Sequence, residues 1–231
     1  MATVGILGDY HAPYNISGYG QFYADVCEAW NVDTFVSIGD IVDLHACSFH
    51  AKEHGHEDLS KELAEAKEDI ANLYKMFPEM KVCMGNHDAL IQRQAASVGL
   101  TEDLLVPVNE VLGVPNWEFG KRYGDFEIDG VLYRHGDQNP GGEHGCMKAA
   151  LEWNQSMVSG HTHRSCSVQW KHTRGDNRIF AMQVGCGVDY ASATQNYGRN
   201  FKHRPFISVG IVVDGERPFI EMMPKGVYEG F

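Results

Sequence analysis

The sequence has no apolar run approaching the roughly 18 residues that a membrane-crossing helix needs. Its start, MATVGILGDYH, has no charged leader, long apolar stretch or cleavage site. A cytoplasmic location is the expectation. The six cysteines, Cys27, Cys47, Cys83, Cys146, Cys166 and Cys186, include no C-x-x-C pair and no dense framework. They read as free thiols in a reducing compartment. Basic residues are scarce: 19 Lys plus Arg face 31 Asp plus Glu, a net charge of -12 at pH 7. That balance excludes a broad basic surface for nucleic acid or anionic lipid and leaves room only for a local cationic cleft. No internal repeat or low-complexity linker divides the 231 residues, of which 43% are hydrophobic and 22% charged. Disordered, collagen-like and coiled-coil classes are thereby excluded, and a single α/β domain spanning 1–231 is expected.

Apolar runs at 3–7 and 34–38 each stop at a glycine, Gly8 and Gly39, and read as buried strands. Between them Phe22, Val26 and Trp30 have helical spacing, which predicts a β-α-β unit. Over 57–77, Leu59, Leu63, Ala66, Ile70, Leu73 and Phe77 mark one helix face, with Glu62, Glu65, Lys67 and Glu68 expected on the solvated one. A strand at 80–84 follows, then a helical stretch around 88–115, broken near Gly99 and Thr101, that could form a partial cap. Beyond Trp117 the pattern changes to short strands (122–128, 131–134, 157–159, 167–172, 179–184 and 207–213) interrupted by one helix at 143–153. Asp129-Gly130 and Asp214-Gly215 signal hairpins. Two packed sheets with helices outside them account for this order.

Twelve histidines are many for this length, and several stand where strands should end. Five clusters share one grammar, an apolar strand that stops at a glycine or tight turn and then delivers Asp, Asn or His: GDYH (8–11), GDIVD (39–43), GNHD (85–88), RHGD (134–137) and GHTH (160–163). Residues at the C-terminal ends of strands converge in the crevice where α/β proteins bind ligands. Asp9 with His11, and His161 with His163, are i, i+2 pairs that an extended backbone would point the same way, each gripping one metal region. Asp9, His11, Asp40, Asn86, His135, His161 and His163 make seven oxygen or nitrogen donors. That is too many for one tetrahedral zinc but suits two metals sharing a carboxylate.

The ordered set D-x-H, G-D-x-x-D, G-N-H-D, a lone His and G-H-x-H, running from residue 8 to 163, resembles the calcineurin-like metallophosphoesterase superfamily. The resemblance implies an αββα sandwich with the metal site at strand C-terminal ends. It implies two divalent transition metals, manganese foremost in vitro with iron, zinc or nickel as alternatives. Asp9, His11 and His163 would bind the first metal, Asp40 would bridge, and Asn86, His135 and His161 would complete the second. His87 matches the histidine that touches the phosphoryl group or protonates the leaving oxygen, Asp43 the acid that orients it, and Asp88 an acid that fixes the loop.

Phosphoprotein phosphatases of this superfamily carry Arg-Gly after the second motif, whereas here Leu44-His45 follows Asp43. The G-N-H-D ending is more similar to the phosphodiesterase and nuclease branches, and the short form loosely resembles small phage-encoded members made in a host cytoplasm. A diesterase acting on nucleotides or nucleic-acid ends is therefore expected, with no membrane and no obligate protein partner. A phosphomonoesterase or protein phosphatase, and a non-catalytic interaction module on the same fold, are the alternatives. Tyr10, Arg164, Arg199, Lys202 and Arg204 are candidate substrate contacts, by adjacency or as part of the glycine- and aromatic-rich stretch 185–205. The histidines at 45, 50, 54 and 56 are expected to line the cleft mouth rather than bind metal.

Overall fold

The computed structural model describes residues 1–49, 58–142, 144–175, 177–189 and 204–226. Strands β1 (Thr3–Leu7), β2 (Thr34–Ser37), β3 (Met80–Val82) and β4 (Trp117–Phe119) pair in parallel. The antiparallel hairpin of β10 (Ser208–Val213) and β11 (Arg217–Met222) extends this sheet on the other side of β1. In the second sheet β6 (Val131–Arg134), β7 (Ser156–Ser159) and β9 (Asn177–Gln183) run parallel, flanked by antiparallel β5 (Phe126–Ile128) and β8 (Ser167–Thr173).

The burial pattern separates the layers. Val4, Ile6, Val36, Ile38, Val131, Tyr133, Val158, Phe180 and Met182 form the apolar seam between the sheets. The opposite face of the first sheet packs on α1 (Tyr19–Ala29) and α2 (Leu59–Met76), burying Tyr23, Ala66, Ile70 and Leu73. The opposite face of the second packs on α5 (Gly145–Trp153) through Leu132, Met147, Ala150 and Met157. The result is the expected two-sheet sandwich with helices outside.

Local chemistry accounts for most boundaries. Asp58 caps α2 by accepting from the Ser60 and Lys61 amides, leaving fewer unpaired donors in its first turn. Asp129 and Gly130, at φ 47 and 76, form the two-residue turn between β5 and β6 that a right-twisted hairpin favours.

Two expectations need correction. Residues 122–125 lie outside β5, while the three-residue strand β4 escapes the apolar pattern because it is so short. Glu62 is not on the solvated face: it is 4% exposed, and its carboxylate accepts from the His45 and Ala46 amides at 2.6 and 2.9 Å. Its positions three after Leu59 and four before Ala66 put it on the buried stripe. The 88–115 stretch divides into α3 (Leu90–Ser97), a single 3-10 turn at Glu102–Leu104 and α4 (Val108–Leu112), with Leu90 and Leu112 anchored in the core. Among the described residues no helix is long and apolar enough to cross a membrane, and all six cysteines are free thiols.

Candidate metal centre

Strands β1, β2, β3, β6 and β7 end at Leu7, Ser37, Val82, Arg134 and Ser159, and each of the five motif clusters begins at its strand's last residue or within three residues beyond it. Backbone bonds tie the resulting turns together. The Tyr10 and His11 amides donate to the Asp40 carbonyl at 3.0 and 2.8 Å, and the Gly160 amide to the His135 carbonyl at 2.8 Å. Asp88 collects the Asp40, Gly85 and Val42 amides on its carboxylate at 2.7, 2.9 and 3.2 Å, fixing the second and third motifs to each other. Gly85 and Gly160 are required for close approach: a Cβ at Gly85 would strike the Asp40 carboxylate, and one at Gly160 would strike Asp9 and Ile38.

Three groups of side chains lie close enough to hold a cation: Asp9 with His11 and His163, Asp40 with His135 and His161, and His11 with Asp43 and His87; the first two are the donor sets of the expected ligands. His163 Nε2 lies 2.8 Å from Asp9 Oδ2. Asp40 Oδ2 faces both sets, 3.6 Å from His11 Nε2 and 3.3 Å from His135 Nε2. Asn86 Oδ1 joins the second set, 2.9 Å from His135 Nε2. Asp9 and His11 share a set as their i, i+2 spacing predicts, whereas His161 and His163 do not. His11, Asp40, His161 and His163 all have positive φ (57, 50, 69 and 27), so none sits on extended backbone, and the turn sends His161 and His163 to different sets. Such conformations cost about 1–3 kcal/mol each in non-glycine residues and persist where the surroundings enforce them.

These donors fit cations. His11 Nε2 and Asp9 Oδ1 are buried with no hydrogen-bond partner among the described residues, an arrangement costing about 1–3 kcal/mol per atom unless something binds there. The other nitrogen of His11 is held by the Asp43 carboxylate at 2.6 Å, and that of His135 donates to the Ile38 carbonyl at 2.9 Å. Each ring thus directs Nε2 into the site, the usual arrangement around ligating histidines. Electrostatics agree. Burial opposes charging of His135, yet Asp40 and Asp9 push it up to about 9. His163 is raised against the same burial penalty by Cys186 and Asp9. In Asp40 burial favours the neutral acid, and His135, His87 and His11 together hold the carboxyl well below its usual range. Protons here balance an acidic cluster that cations would balance in their place.

His87 stands beside both sets, its side chain 25% exposed and its ring edge-on to His11 at 4.7 Å. Its Nδ1 lies 2.6 Å from the Asp43 backbone carbonyl but 3.5 Å from Asp43 Oδ1. The Asp43 carboxylate is therefore spent chiefly on His11, a departure from its expected role. Its backbone positions His87.

Tyr10 does not reach substrate space: it is 2% exposed, and its hydroxyl donates to Asp69 on α2 at 3.0 Å. Arg164 and Arg204 are exposed, while Arg199, Lys202 and the histidines at 50, 54 and 56 lie outside the described residues. His45 is buried under Glu62. Arg122 went unnoticed in the sequence. It donates to the Met84 carbonyl at 3.2 Å and pairs through both terminal nitrogens with Asp137, bracing the loop before Asn86 against the loop after His135.

The sequence profile of calcineurin-like phosphoesterases matches residues 2–190. The chain belongs to that family. No curated protein sequence matches it significantly. Among solved structures it is similar to a metallophosphoesterase from Sphaerobacter thermophilus, with 16% identity over 99% of this chain and 89% of the other and a TM-score of 0.48. It is also similar to Vps29 from Entamoeba histolytica complexed with zinc, at 13% identity over 97% and 94% and a TM-score of 0.47. A third is YfcE, a phosphoesterase from Escherichia coli, at 13% identity over 91% and 88% and a TM-score of 0.44.

Proposed function

We propose that this chain hydrolyses phosphodiesters in a reaction that depends on two divalent cations, with nucleotides or nucleic-acid ends as the substrate class. The observation that carries the reading is the pair of largely buried donor sets with Asp40 Oδ2 facing both, and a partly exposed histidine beside them. Two cations bound there would supply an activated water and neutralise phosphoryl oxygens.

The chain's own residues do the rest. Asp9, His11 and His163 would hold one cation, Asn86, His135 and His161 the other, and Asp40 would serve both. Asn86 contributes an oxygen without adding negative charge against an anionic ester. Asp43 fixes the His11 tautomer through Nδ1. With Nδ1 of His87 engaged by the Asp43 carbonyl, the remaining ring nitrogen delivers a proton to the departing alkoxide.

The diester preference rests on the residue after Asp43, which is Leu44 rather than an arginine. A monoester dianion carries one charge more than a diester, and a bidentate arginine beside the metals would offset it. The position after Asp43 holds Leu44 in a left-handed turn at φ 49, and the Arg122 guanidinium is already committed to Asp137 and Met84. The test is kcat/KM of the manganese-loaded protein on bis-p-nitrophenyl and p-nitrophenyl phosphate. The expected result is a diester value at least equal to the monoester value. A clear monoester preference that disappears in Arg164→Ala would overturn it.

A further inference from the structure

A cavity of about 180 Å3 opens between the turn after β6 and the loop carrying His161, lined by Asp137, Asn139, Gly141, Gly142, His161 and Thr162 among others. It is smaller than the roughly 300 Å3 at which pockets for whole ligands begin. It is close to the ~150 Å3 that accommodates one benzene ring. The cavity therefore suits one ring of a larger molecule.

Its lining specifies the chemistry of that ring. Asp137 is neutralised by its two-point pair with Arg122, and no Lys or Arg lines the space among the described residues. A second phosphate and a cation are both disfavoured. Asn139 Oδ1 and Thr162 Oγ1 are buried with no hydrogen-bond partner among the described residues. The Asn139 amide nitrogen already donates to Ser159 Oγ at 3.2 Å, which leaves the oxygen as the free end. An amide oxygen only accepts, so the ring must bring an N–H or O–H donor. Pro140, several glycines and the His161 imidazole also line the space, so most of the ring would meet uncharged surface.

We propose that this cavity is a subsite for the nucleobase of a nucleoside phosphate ester, with Asn139 and Thr162 as its specificity-determining contacts. Its place in catalysis rests on the phosphodiesterase reading, because His161 belongs both to the second donor set and to the cavity wall.

Calorimetric titration of the metal-loaded protein with uridine, N3-methyluridine, adenosine and methyl β-riboside tests the subsite without any ester turning over. Uridine or adenosine should bind at least tenfold more tightly than the riboside. N3-methylation should weaken uridine, and Asn139→Leu and Thr162→Val should each weaken nucleoside binding roughly three- to tenfold, the worth of one hydrogen bond. Equal binding of the riboside and the nucleosides would assign the cavity to a sugar and overturn the nucleobase reading. No nucleoside binding, or binding indifferent to N3-methylation and to both substitutions, would remove the subsite altogether. Nucleoside binding of the expected pattern in a protein that cleaves neither p-nitrophenyl thymidine 5′-phosphate nor p-nitrophenyl methyl phosphate would uphold the subsite and overturn the phosphodiesterase reading. If the protein cleaves them, the thymidine ester should exceed the methyl ester in kcat/KM at least tenfold, and Asn139→Leu should reduce that ratio.

Discussion

Asp43→Asn separates two roles that one carboxylate could play. Asp43 Oδ1 lies 2.6 Å from His11 Nδ1 and 3.5 Å from His87 Nδ1, and His87 is held instead by the Asp43 backbone carbonyl, which any residue retains. Asparagine keeps the shape and the backbone but removes the charge that fixes the His11 tautomer and strengthens its Nε2 as a donor. Partners of this kind are worth about 10- to 100-fold in metal affinity, or roughly 1.4–2.7 kcal/mol. The loss should fall on the cation held by Asp9, His11 and His163, and the other site should change little. Competition titration against a chelator of graded affinity resolves the two dissociation constants. At saturating metal, turnover on an ester with a poor leaving group should recover most of its original value, because His87 remains in place. Unchanged metal affinities together with a turnover defect confined to poor leaving groups would refute this reasoning and return Asp43 to the role of orienting His87.

Other outcomes follow from the same geometry. His87→Asn should leave metal content intact and lower turnover roughly 10²- to 10⁴-fold on alkyl esters but much less on p-nitrophenyl esters; an equal loss on both would indicate phosphate positioning instead. Gly85→Ala drives a methyl group into Asp40 and should cost about 1–3 kcal/mol of stability in urea denaturation, together with both metals; native metal content would contradict the close approach. Burial raises the Glu62 carboxyl above its ordinary value, against the lowering effect of the two amides it accepts from. The folded state then holds that proton at a pH where the unfolded chain has released it, so Glu62's contribution to stability falls as pH rises from the ordinary carboxylate value through the raised one. The stability advantage of the native protein over Glu62→Gln should thus be larger at pH 5 than at pH 7.5, and an advantage that grows with pH would contradict the assignment.

The strand-end clusters were legible because their signal is local. An apolar run broken by glycine and followed by Asp, Asn or His marks both where a strand stops and what it presents, so the order of β1, α1, β2, α2 and β3 and the convergence of the five clusters could be read before any coordinates. What could not be read depends on contacts far apart in sequence. The left-handed turns that send His161 and His163 to different sets are set by the Asp9 carboxylate accepting the His161 amide at 2.8 Å, across 152 positions. Tyr10 follows Asp9 directly, yet its hydroxyl is drawn to Asp69 on a helix far along the chain. The choice of Asp43 between two histidines turns on about an ångström. Glu62 is the exception, since its place on the apolar stripe was visible in the spacing and its charge obscured it.

The most direct test of the dinuclear reading is metal stoichiometry measured on protein saturated with manganese and freed of excess, for the native chain and for Asp40→Asn. Because Asp40 Oδ2 faces both His11 and His135, two equivalents per chain are expected in the native protein, with both weakened together by the substitution. A single equivalent, indifferent to the loss of the Asp40 charge, would contradict it.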